Sequence, residues 1–488
     1  MSNLVYIGTR DKNIQATASQ AILKGICSDG GLYLPREIPK LSKGLDELAG
    51  LSYQELAFTI LRPFLDFTDE ELFRCIQGAY DSKFDTPVIA PVVKKEDALF
   101  LELFHGRTLA FKDMALSILP YFMKTAAKRE GVEKEIVILT ATSGDTGKAA
   151  LEGFADVEGT KIIVFFPEDG VSPVQKLQMT TQEGKNTCVV GIHGNFDDAQ
   201  SAVKGIFTDK ELAQELDERG YVFSSANSIN IGRLVPQVVY YFWAYLQAAK
   251  NGEIALGEQL NFTVPTGNFG DILAGWYARE MGLPVGQLVC ASNTNKVLYD
   301  FFRTGVYDRN RAFCVTVSPS MDILISSNLE RLLCHVTGQE NTKQAMEQLQ
   351  QVGKYSASVT GCGISGEYAT EEETYTSIRA FFEKTGYVMD THTAVAYAAY
   401  QKYKAETQDN TPMVIVSTAS PYKFTKDVMT AIDSANAKED AFALMKELEK
   451  LSGVVIPEPI RGIEERPILH QNVCEKDKIK DFVKEYLL

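Results

Sequence analysis

The sequence predicts an α/β protein built on parallel sheets. Short apolar, β-branched runs alternate with helical patterns through most of the 488 residues, as in folds whose strands are joined by helical crossovers. The runs that we predict to be buried parallel strands are Glu135–Leu139, Lys161–Phe166, Cys188–Gly191, Asn261–Val264, Gln287–Cys290 and Met413–Val416. Between them we expect helices, one beginning at Asp271 and one capped by Asp197 and Asp198 and running to about Arg219.

The length allows two or three domains. Residues 1–85 are mostly helical in pattern and form an N-terminal region. We expect a smaller α/β domain over 86–235 and a larger one over 236–488, which ends in a charged, helical extension from about Asp433. No composition shift or Pro/Gly-rich linker separates these parts sharply.

Charge and cysteine usage narrow the class of protein. The formal net charge is −15, from 49 basic and 64 acidic residues, which argues against nucleic acid and anionic lipid as partners. Eight scattered cysteines form no zinc-type spacing and predict no metal site, and they are typical of reduced thiols. The start shows no secretory signal, and no apolar run is long enough to span a bilayer. We therefore expect a cytoplasmic protein, monomeric or homodimeric, that acts on a small molecule.

The first motif with chemical potential is HGRTLAFKD, residues 105–113. Lys112 follows the apolar residues Leu109–Phe111, and desolvation there would lower its pKa and favour the neutral, nucleophilic amine. An ordinary surface lysine is the alternative, and the short pattern alone does not exclude it.

The second motif, TATSGDTGKAA, follows the strand that ends near Leu139 and starts a helix. Such a turn binds anions through free N–H groups and the positive end of the helix. A nucleotide P-loop requires Gly at position 142 and Ser or Thr at position 149, where this chain has Thr142 and Ala149. A carboxylate or another small polar ligand therefore suits the turn better.

Three further motifs also lie between strands and helices. In PTGNFGD, Gly267 and Gly270 allow close backbone approach to a phosphate, although a plain glycine-rich turn remains an alternative. In SSANSINIGR, Arg233 is suited to a bidentate grip on an anion, and the alternative is a loop whose Ser and Asn residues cap a helix. In STASPYKF, Thr418 follows a strand at its carboxyl end, where ligands bind in α/β sheets.

Taken together, these motifs resemble the threonine synthases, pyridoxal-phosphate enzymes related to tryptophan synthase β and serine dehydratase. The resemblance is to the longer bacterial and fungal branch and covers most of the chain up to about residue 425. It adds the segments DGGLYLP (29–35), FPEDGVSPVQKLQMT (166–180), SPSMDILISSNLERLL (318–333) and TGYVMDTHTAV (385–395). It implies pyridoxal-phosphate fold type II, with two open twisted sheets flanked by helices and a mostly helical N-terminal region.

The resemblance also implies roles for individual residues. Lys112 would be the catalytic residue and would hold pyridoxal 5'-phosphate as a Schiff base, and Thr418 would face the pyridine nitrogen. The loop that binds the cofactor phosphate would be Gly267, Asn268, Phe269, Gly270 and Asp271. The turn that binds the substrate carboxylate would be Thr142, Ser143, Gly144, Asp145 and Thr146. The candidates for the substrate phosphate are Ser228, Asn230 and Arg233.

The reaction that the resemblance implies converts O-phospho-L-homoserine and water into L-threonine and phosphate. Two alternatives remain at this point. One is a sister enzyme of the same fold, such as a phospholyase or a serine or threonine dehydratase, of which the dehydratase would lack the grip on a substrate phosphate. The other is a catalytically silent homologue that only binds ligands, and the presence of Lys112, Gly267 and Thr418 argues against it.

Overall fold

The structure is a computed structural model that describes residues 4–142, 144–169, 171–435, 437 and 440–487. The strands of this part of the chain are β1 (Tyr6–Gly8), β2 (Gln15–Ala16), β3 (Tyr33–Pro35), β4 (Val92–Lys95), β5 (Ala98–Glu102), β6 (Glu135–Ala141), β7 (Thr160–Pro167), β8 (Thr187–His193), β9 (Tyr221–Ser224), β10 (Leu260–Pro265), β11 (Val285–Ser292), β12 (Val306–Asp308), β13 (Lys354–Ser356), β14 (Ile364–Tyr368), β15 (Met413–Ser417) and β16 (Asn472–Glu475).

The α-helices connect these strands and cover the faces of the sheets. They are α1 (Ala18–Lys24), α2 (Leu45–Leu48), α3 (Tyr53–Leu61), α4 (Asp69–Ala79), α5 (Asp113–Leu116), α6 (Leu119–Arg129), α7 (Asp145–Phe154), α8 (Pro173–Thr180), α9 (Phe196–Thr208), α10 (Lys210–Glu218), α11 (Ile231–Leu234), α12 (Val238–Lys250), α13 (Gly270–Met281), α14 (Val297–Thr304), α15 (Leu329–Thr337), α16 (Gln339–Val352), α17 (Glu371–Thr385), α18 (Thr391–Thr407), α19 (Thr425–Ile432), α20 (Ala441–Ser452) and α21 (Ile479–Leu487). None of the helices in the described ranges is both long and apolar enough to cross a membrane.

Two large sheets organise the fold. The first has five parallel strands in the order β16-β8-β7-β6-β9. The second has six strands in the order β14-β11-β10-β15-β5-β4, all parallel except β4, which runs antiparallel to β5 at the edge. The six strands predicted from the sequence are confirmed, and their continuous apolar composition reflects burial on both faces.

The membership of the sheets differs from the domain boundaries expected at residues 86 and 236. Strands β4 and β5 precede the five-stranded sheet along the chain, yet β5 pairs with β15 in the six-stranded sheet. Conversely, the C-terminal strand β16 pairs with β8. The physical reason is that strand neighbours are chosen by packing in space, and each sheet takes an edge segment from a distant part of the chain.

The N-terminal region combines α1 to α4 with a small antiparallel sheet in the order β2-β1-β3, so the DGGLYLP segment ends in a strand.

A second departure from expectation concerns the helix predicted to run to about Arg219, which is two helices. The Asn195 side chain caps α9 by accepting a hydrogen bond from Asp198 N, and Asp209 ends α9 and caps α10. Asp209 has an extended backbone and bonds Leu212 N through its carboxylate, and this local bond breaks the helix.

The C-terminal extension binds both sheets. Besides β16 at the edge of the five-stranded sheet, Leu469 N donates to Thr180 O at the end of α8 over 2.8 Å. On the other side, the Tyr422 hydroxyl beside β15 donates to Val454 O. The extension therefore spans the two halves of the molecule.

Candidate active site

Lys112 lies beside the carboxyl end of β15. Residues 109–111 form a short antiparallel contact with residues 418–420, in which Phe111 N donates to Thr418 O over 2.8 Å. This contact fixes the turn that carries Lys112 at the ligand-binding edge of the six-stranded sheet. The structure therefore brings Lys112 and Thr418 together, as the sequence predicted for a shared site.

The Lys112 amine is buried and close to several charges. Only 8% of the residue is exposed, and burial lowers the pKa of its amine. The carboxylate of Asp145, 3.7 Å from Lys112 Nζ, opposes this shift, whereas Lys423 and Arg233 lower the pKa further. The apolar LAFK context thus has the expected consequence, an amine whose neutral, nucleophilic form is favoured.

The glycine loop between β10 and α13 is an amide cradle. The N–H groups of residues 267–271 donate to no acceptor among the described residues, and they lie at the N-terminal end of α13. The neighbouring carbonyl groups are held elsewhere, since Gly267 O accepts from Ser326 Oγ over 2.6 Å and Asn268 O accepts from Asn328 N over 3.0 Å. Phe269 adopts the left-handed conformation (φ 65°) that turns the chain into α13. Consecutive free amides in this arrangement suit a phosphate.

The Asp271 side chain points into the protein. Its Oδ1 accepts hydrogen bonds from the hydroxyl groups of Tyr240 and Tyr241, each at 2.7 Å. Burial raises the pKa of this carboxyl group to about 6, although the two tyrosines and Lys112 oppose the shift. Asp271 therefore contributes its N–H group to the cradle, and its carboxylate fixes the loop through the hydrogen bonds from the two tyrosines.

The turn after β6 is built around Thr142. Its hydroxyl oxygen accepts hydrogen bonds from Gly144 N and Gly147 N, both at 2.9 Å, and closes the turn. Asp145 N and Thr146 N have no acceptor in the described part of the chain, and they lie at the positive end of α7. Ser143, also predicted to bind substrate, lies outside the described residues. The arrangement can bind a carboxylate through the two free amides.

Arg233 is a buried cation without a carboxylate partner among the described residues. The residue is 4% exposed, its Nη1 donates to Ala226 O over 2.9 Å, and its Nε has no partner. Burial lowers the pKa of the guanidinium group to about 10. A buried charge of this kind favours an anionic partner, and α11, which carries Arg233, packs against α5, which begins directly after Lys112.

The contacts of Asn230 contradict its predicted role as a phosphate ligand. Its Nδ2 donates to Ile22 O at 2.9 Å and to Ser225 O at 3.0 Å, and its Oδ1 caps α11 by accepting from Gly232 N. Both amide hydrogens are used, so none remains for a phosphate. Ser228 differs, because its hydroxyl group has no partner within the described ranges and only its carbonyl is bound, by Asn328 Nδ2 at 3.2 Å.

Two buried charged residues near the site were not predicted from the sequence. Lys423, within STASPYKF, has a fully buried side chain and pairs with Asp145 Oδ1 at 2.8 Å. Arg331 is also fully buried; its Nε donates to Tyr33 O over 2.7 Å, its Nη2 donates to Ile229 O over 2.5 Å, and it also bonds Asn328. The position of Lys423 just past a parallel strand was a usable signal, the same one that indicated Thr418. The helical pattern around Arg331 gave none, because an arginine in an amphipathic helix is usually exposed.

Comparison with known proteins gives consistent matches along the chain. Family models match three parts, described as threonine synthase N terminus (residues 5–80), pyridoxal-phosphate dependent enzyme (85–419) and threonine synthase C-terminal (393–483). The threonine synthase of Saccharomyces cerevisiae is 34% identical over 98% of each chain, and that of Pseudomonas aeruginosa is 37% identical over 87% of this chain and 90% of its own. The crystal structure of threonine synthase from Brucella melitensis with pyridoxal phosphate bound has a TM-score of 0.87 at 36% identity over 99% of each chain.

The fold, the buried lysine and these matches define a pyridoxal-phosphate-dependent enzyme of fold type II. Within that class, the chain belongs to the threonine synthase family. The predicted fold class, cofactor and family are thereby confirmed. The residues of the site fit the cofactor, because five free amides suit its phosphate and a buried amine of lowered pKa suits its aldehyde.

Gly267→Ala is expected to weaken cofactor binding. An added Cβ would lie 2.4 Å from Ser320 O, so the loop would have to shift and the amide cradle would be displaced. From the usual cost of such overpacking, about 1–3 kcal/mol, we expect pyridoxal-phosphate affinity to fall about 5- to 150-fold, with a near-normal circular dichroism spectrum. The measurement is a spectral titration of apoenzyme with the cofactor.

Two further variants complete this test. At Gly270 the nearest protein atoms are 3.6 and 3.8 Å from an added Cβ, so the protein has room for that carbon. A loss of cofactor affinity in Gly270→Val would therefore come from contact between the new side chain and the cofactor. Gly50→Ala is the matched control, because an added Cβ there would meet nothing within 4 Å, and this variant should bind the cofactor normally. Wild-type affinity in both loop variants would show that residues 267–271 do not bind the phosphate.

Proposed function

We propose that this enzyme converts O-phospho-L-homoserine and water into L-threonine and inorganic phosphate. The observation that carries the proposal is Arg233, a buried guanidinium group without a carboxylate partner in the described residues and close enough to lower the pKa of Lys112. The site has two other anion-binding positions, the amides of 267–271 and the turn at 142–146. Cofactor phosphate, substrate carboxylate and substrate phosphate need three such positions, whereas a dehydratase substrate would need only two.

The residues that would hold pyridoxal phosphate are Lys112, the amides of 267–271 and Thr418. When bound there, the cofactor supplies an electron sink for the carbon atoms next to the substrate amino group. Lys112 would bind its aldehyde carbon through Nζ, and the loop amides would bind its phosphate. We place the Thr418 hydroxyl opposite the pyridine nitrogen, where it donates or accepts one hydrogen bond without holding the ring protonated as a carboxylate would.

The substrate would be oriented by its two charged ends. The free amides of Asp145 and Thr146 bind the carboxylate, with Thr142 fixing the shape of the turn. Arg233, with the hydroxyl group of Ser228, binds the phosphate at the other end. The reacting carbons then lie between these two positions and within reach of the Lys112 amine.

Proton movement would be the task of Lys112. Its lowered pKa would allow the amine to take protons from the α and β carbons, and the ammonium so formed is the acid that would return protons to the γ and α carbons. As the proton leaves the β carbon, its electron pair would form a double bond to the γ carbon while the bond between the γ carbon and the phosphate oxygen breaks, and Arg233 would stabilise the charge on the departing phosphate. Water would then give its hydroxyl group to the β carbon and its proton to the phosphate, which completes threonine and inorganic phosphate.

The test is to incubate the purified enzyme with O-phospho-L-homoserine and to measure phosphate and amino acid together. We expect phosphate and L-threonine in equal amounts. Release of phosphate with a 2-oxo acid and ammonia in place of threonine would identify a phospholyase, and deamination of L-serine or L-threonine without use of the phosphorylated substrate would identify a dehydratase.

We also propose that the enzyme works in the cytoplasm as a monomer or homodimer, with a small molecule as its only partner in the reaction. All eight cysteines have free thiols in the structure, which supports a reducing compartment. Light scattering after size-exclusion chromatography distinguishes the expected states, and a larger assembly would contradict the proposal.

A further inference from the structure

Lys423 is a buried ammonium group whose hydrogen bonds are all used within the protein. Its side chain is 0% exposed, and Nζ lies 2.8 Å from Asp145 Oδ1, 2.8 Å from Thr108 O and 3.4 Å from Gln178 Oε1. An ammonium group has three hydrogens, and three acceptors are present. Lys423 therefore has no donor left for a substrate, and any part that it takes in the reaction is exerted on other groups of the protein.

Asp145 is the group that joins Lys423 to Lys112. Its Oδ1 binds Lys423 and also accepts from Gln175 Nε2 at 3.0 Å, whereas its Oδ2 lies 3.7 Å from Lys112 Nζ. That distance is an ion-pair contact but is longer than a hydrogen bond, so the Lys112 amine is attracted without being held. Although burial raises the pKa of Asp145, Lys423 and then Lys112 hold it well below its usual range.

The backbone also ties Lys423 to the turn that carries Lys112. Thr108, which accepts from Lys423, begins that turn, and its N–H and hydroxyl group donate to the Asp113 carboxylate at 2.8 and 2.6 Å. Lys423, Asp145 and Lys112 therefore keep a fixed relation even though they come from three distant segments of the chain.

We propose that Lys423 is a positioning residue that acts on Lys112 through Asp145, fixing that carboxylate so that its second oxygen faces the Lys112 amine. The proposal rests on Lys112 being the lysine that binds the cofactor. In this arrangement Asp145 stabilises Lys112 when the Lys112 amine is protonated, and the ion pair of Lys423 with the same carboxylate keeps that stabilisation from becoming too strong. Lys112 can then accept a proton and give it back.

The direction of the effect follows from the charges around Lys112. Asp145 and Asp113 favour its protonated form, Lys423 and Arg233 disfavour it, and the Asp271 carboxyl from α13 is also close. Removing Lys423 takes away a neighbouring cation and leaves Asp145 with Lys112 as its one cationic partner among the described residues. Both changes stabilise a protonated nitrogen at Lys112, so its titration moves to higher pH.

The experiment is a pH titration of the visible absorption band of the holoenzyme. Lys423→Met, nearly equal in length, should raise the midpoint by about one pH unit or more, while Lys423→Arg should remain near wild type. The matched control is Lys148→Met, because Lys148 is also buried and paired, with Glu152 at 3.0 Å, but does not belong to the Asp145 group. Its midpoint should not move.

The path through Asp145 is tested in the Asp145→Asn background. Adding Lys423→Met there should shift the midpoint by less than half as much as in the wild type. The double variant also has no carboxylate at position 145 that has lost its partner, so it can be measured even if Lys423→Met alone folds poorly. An unchanged midpoint in Lys423→Met, or an equal shift in both backgrounds, would overturn the proposal. Borohydride reduction of each protein followed by peptide mapping separates this failure from a wrong assignment of Lys112, which would show the adduct on another lysine.

Discussion

Purified Lys112→Ala should be colourless and inactive. The variant lacks the amine that binds the cofactor aldehyde and also the base that moves protons during the reaction. Loss of the proton transfer alone is worth roughly 10²–10⁴-fold in rate, and loss of cofactor attachment adds to it, so threonine formation should fall below detection. The change removes a buried amine near Asp145, which keeps its pairing with Lys423, so the fold should survive.

Reduction of the wild-type enzyme with borohydride measures this directly. The visible band should disappear and the reduced adduct should be found on the peptide that contains Lys112. Lys148→Ala, at another buried lysine, is the control and should remain yellow and active. An adduct on any other lysine would refute the assignment.

Arg233→Ala should lower kcat/KM for O-phospho-L-homoserine by about 2–4 kcal/mol of transition-state stabilisation, roughly 30- to 1,000-fold. The guanidinium group can hold a phosphate through two charge-assisted hydrogen bonds, and its Nε is free to do so. Arg233→Lys should recover only part of the loss, because an ammonium group offers a single point charge. Steady-state phosphate release gives the comparison.

The control for this prediction is a ligand without phosphate. Spectral titration with L-serine or L-threonine should be nearly unchanged in Arg233→Ala, and cofactor affinity should also be retained. Equal losses on phosphorylated and unphosphorylated ligands would show that Arg233 supports the fold, and the substrate phosphate would then bind elsewhere.

The sequence predicted the elements of the fold better than their partners. Strands β6, β7, β10 and β15 could be recognised because buried parallel strands are continuously apolar. That β5 would join β15 could not, since pairing depends on packing between segments more than 300 residues apart and leaves no local pattern. The interruption at Asp209 was missed because the residues on both sides of it favour a helix.

The candidate site resembles the fold in this respect, because the sequence indicates its turns but not all of the side-chain contacts within it. Lys112, Thr142 and the loop at 267–271 lie where chain turns follow strands, and such turns can be read from glycine and hydroxyl residues. Asn230 and Arg233 share one motif, yet the side-chain amide of Asn230 is fully used within the protein, whereas the Nε of Arg233 has no partner among the described residues. Which of two neighbouring polar residues faces a ligand is decided by tertiary contacts, and so is the role of Lys423.

The distribution of the strands also constrains how the chain can assemble during synthesis. The six-stranded sheet has β5 next to β15, and the five-stranded sheet has β8 next to β16, so both sheets pair strands that are far apart along the chain. The six-stranded sheet therefore cannot be completed until β15 has been made, and a growing chain exposes one edge of β5 until then. Pairing across such separations makes folding slow and leaves unpaired edges open to aggregation. A nascent chain of this enzyme is thus a natural client for chaperones that shield strand edges.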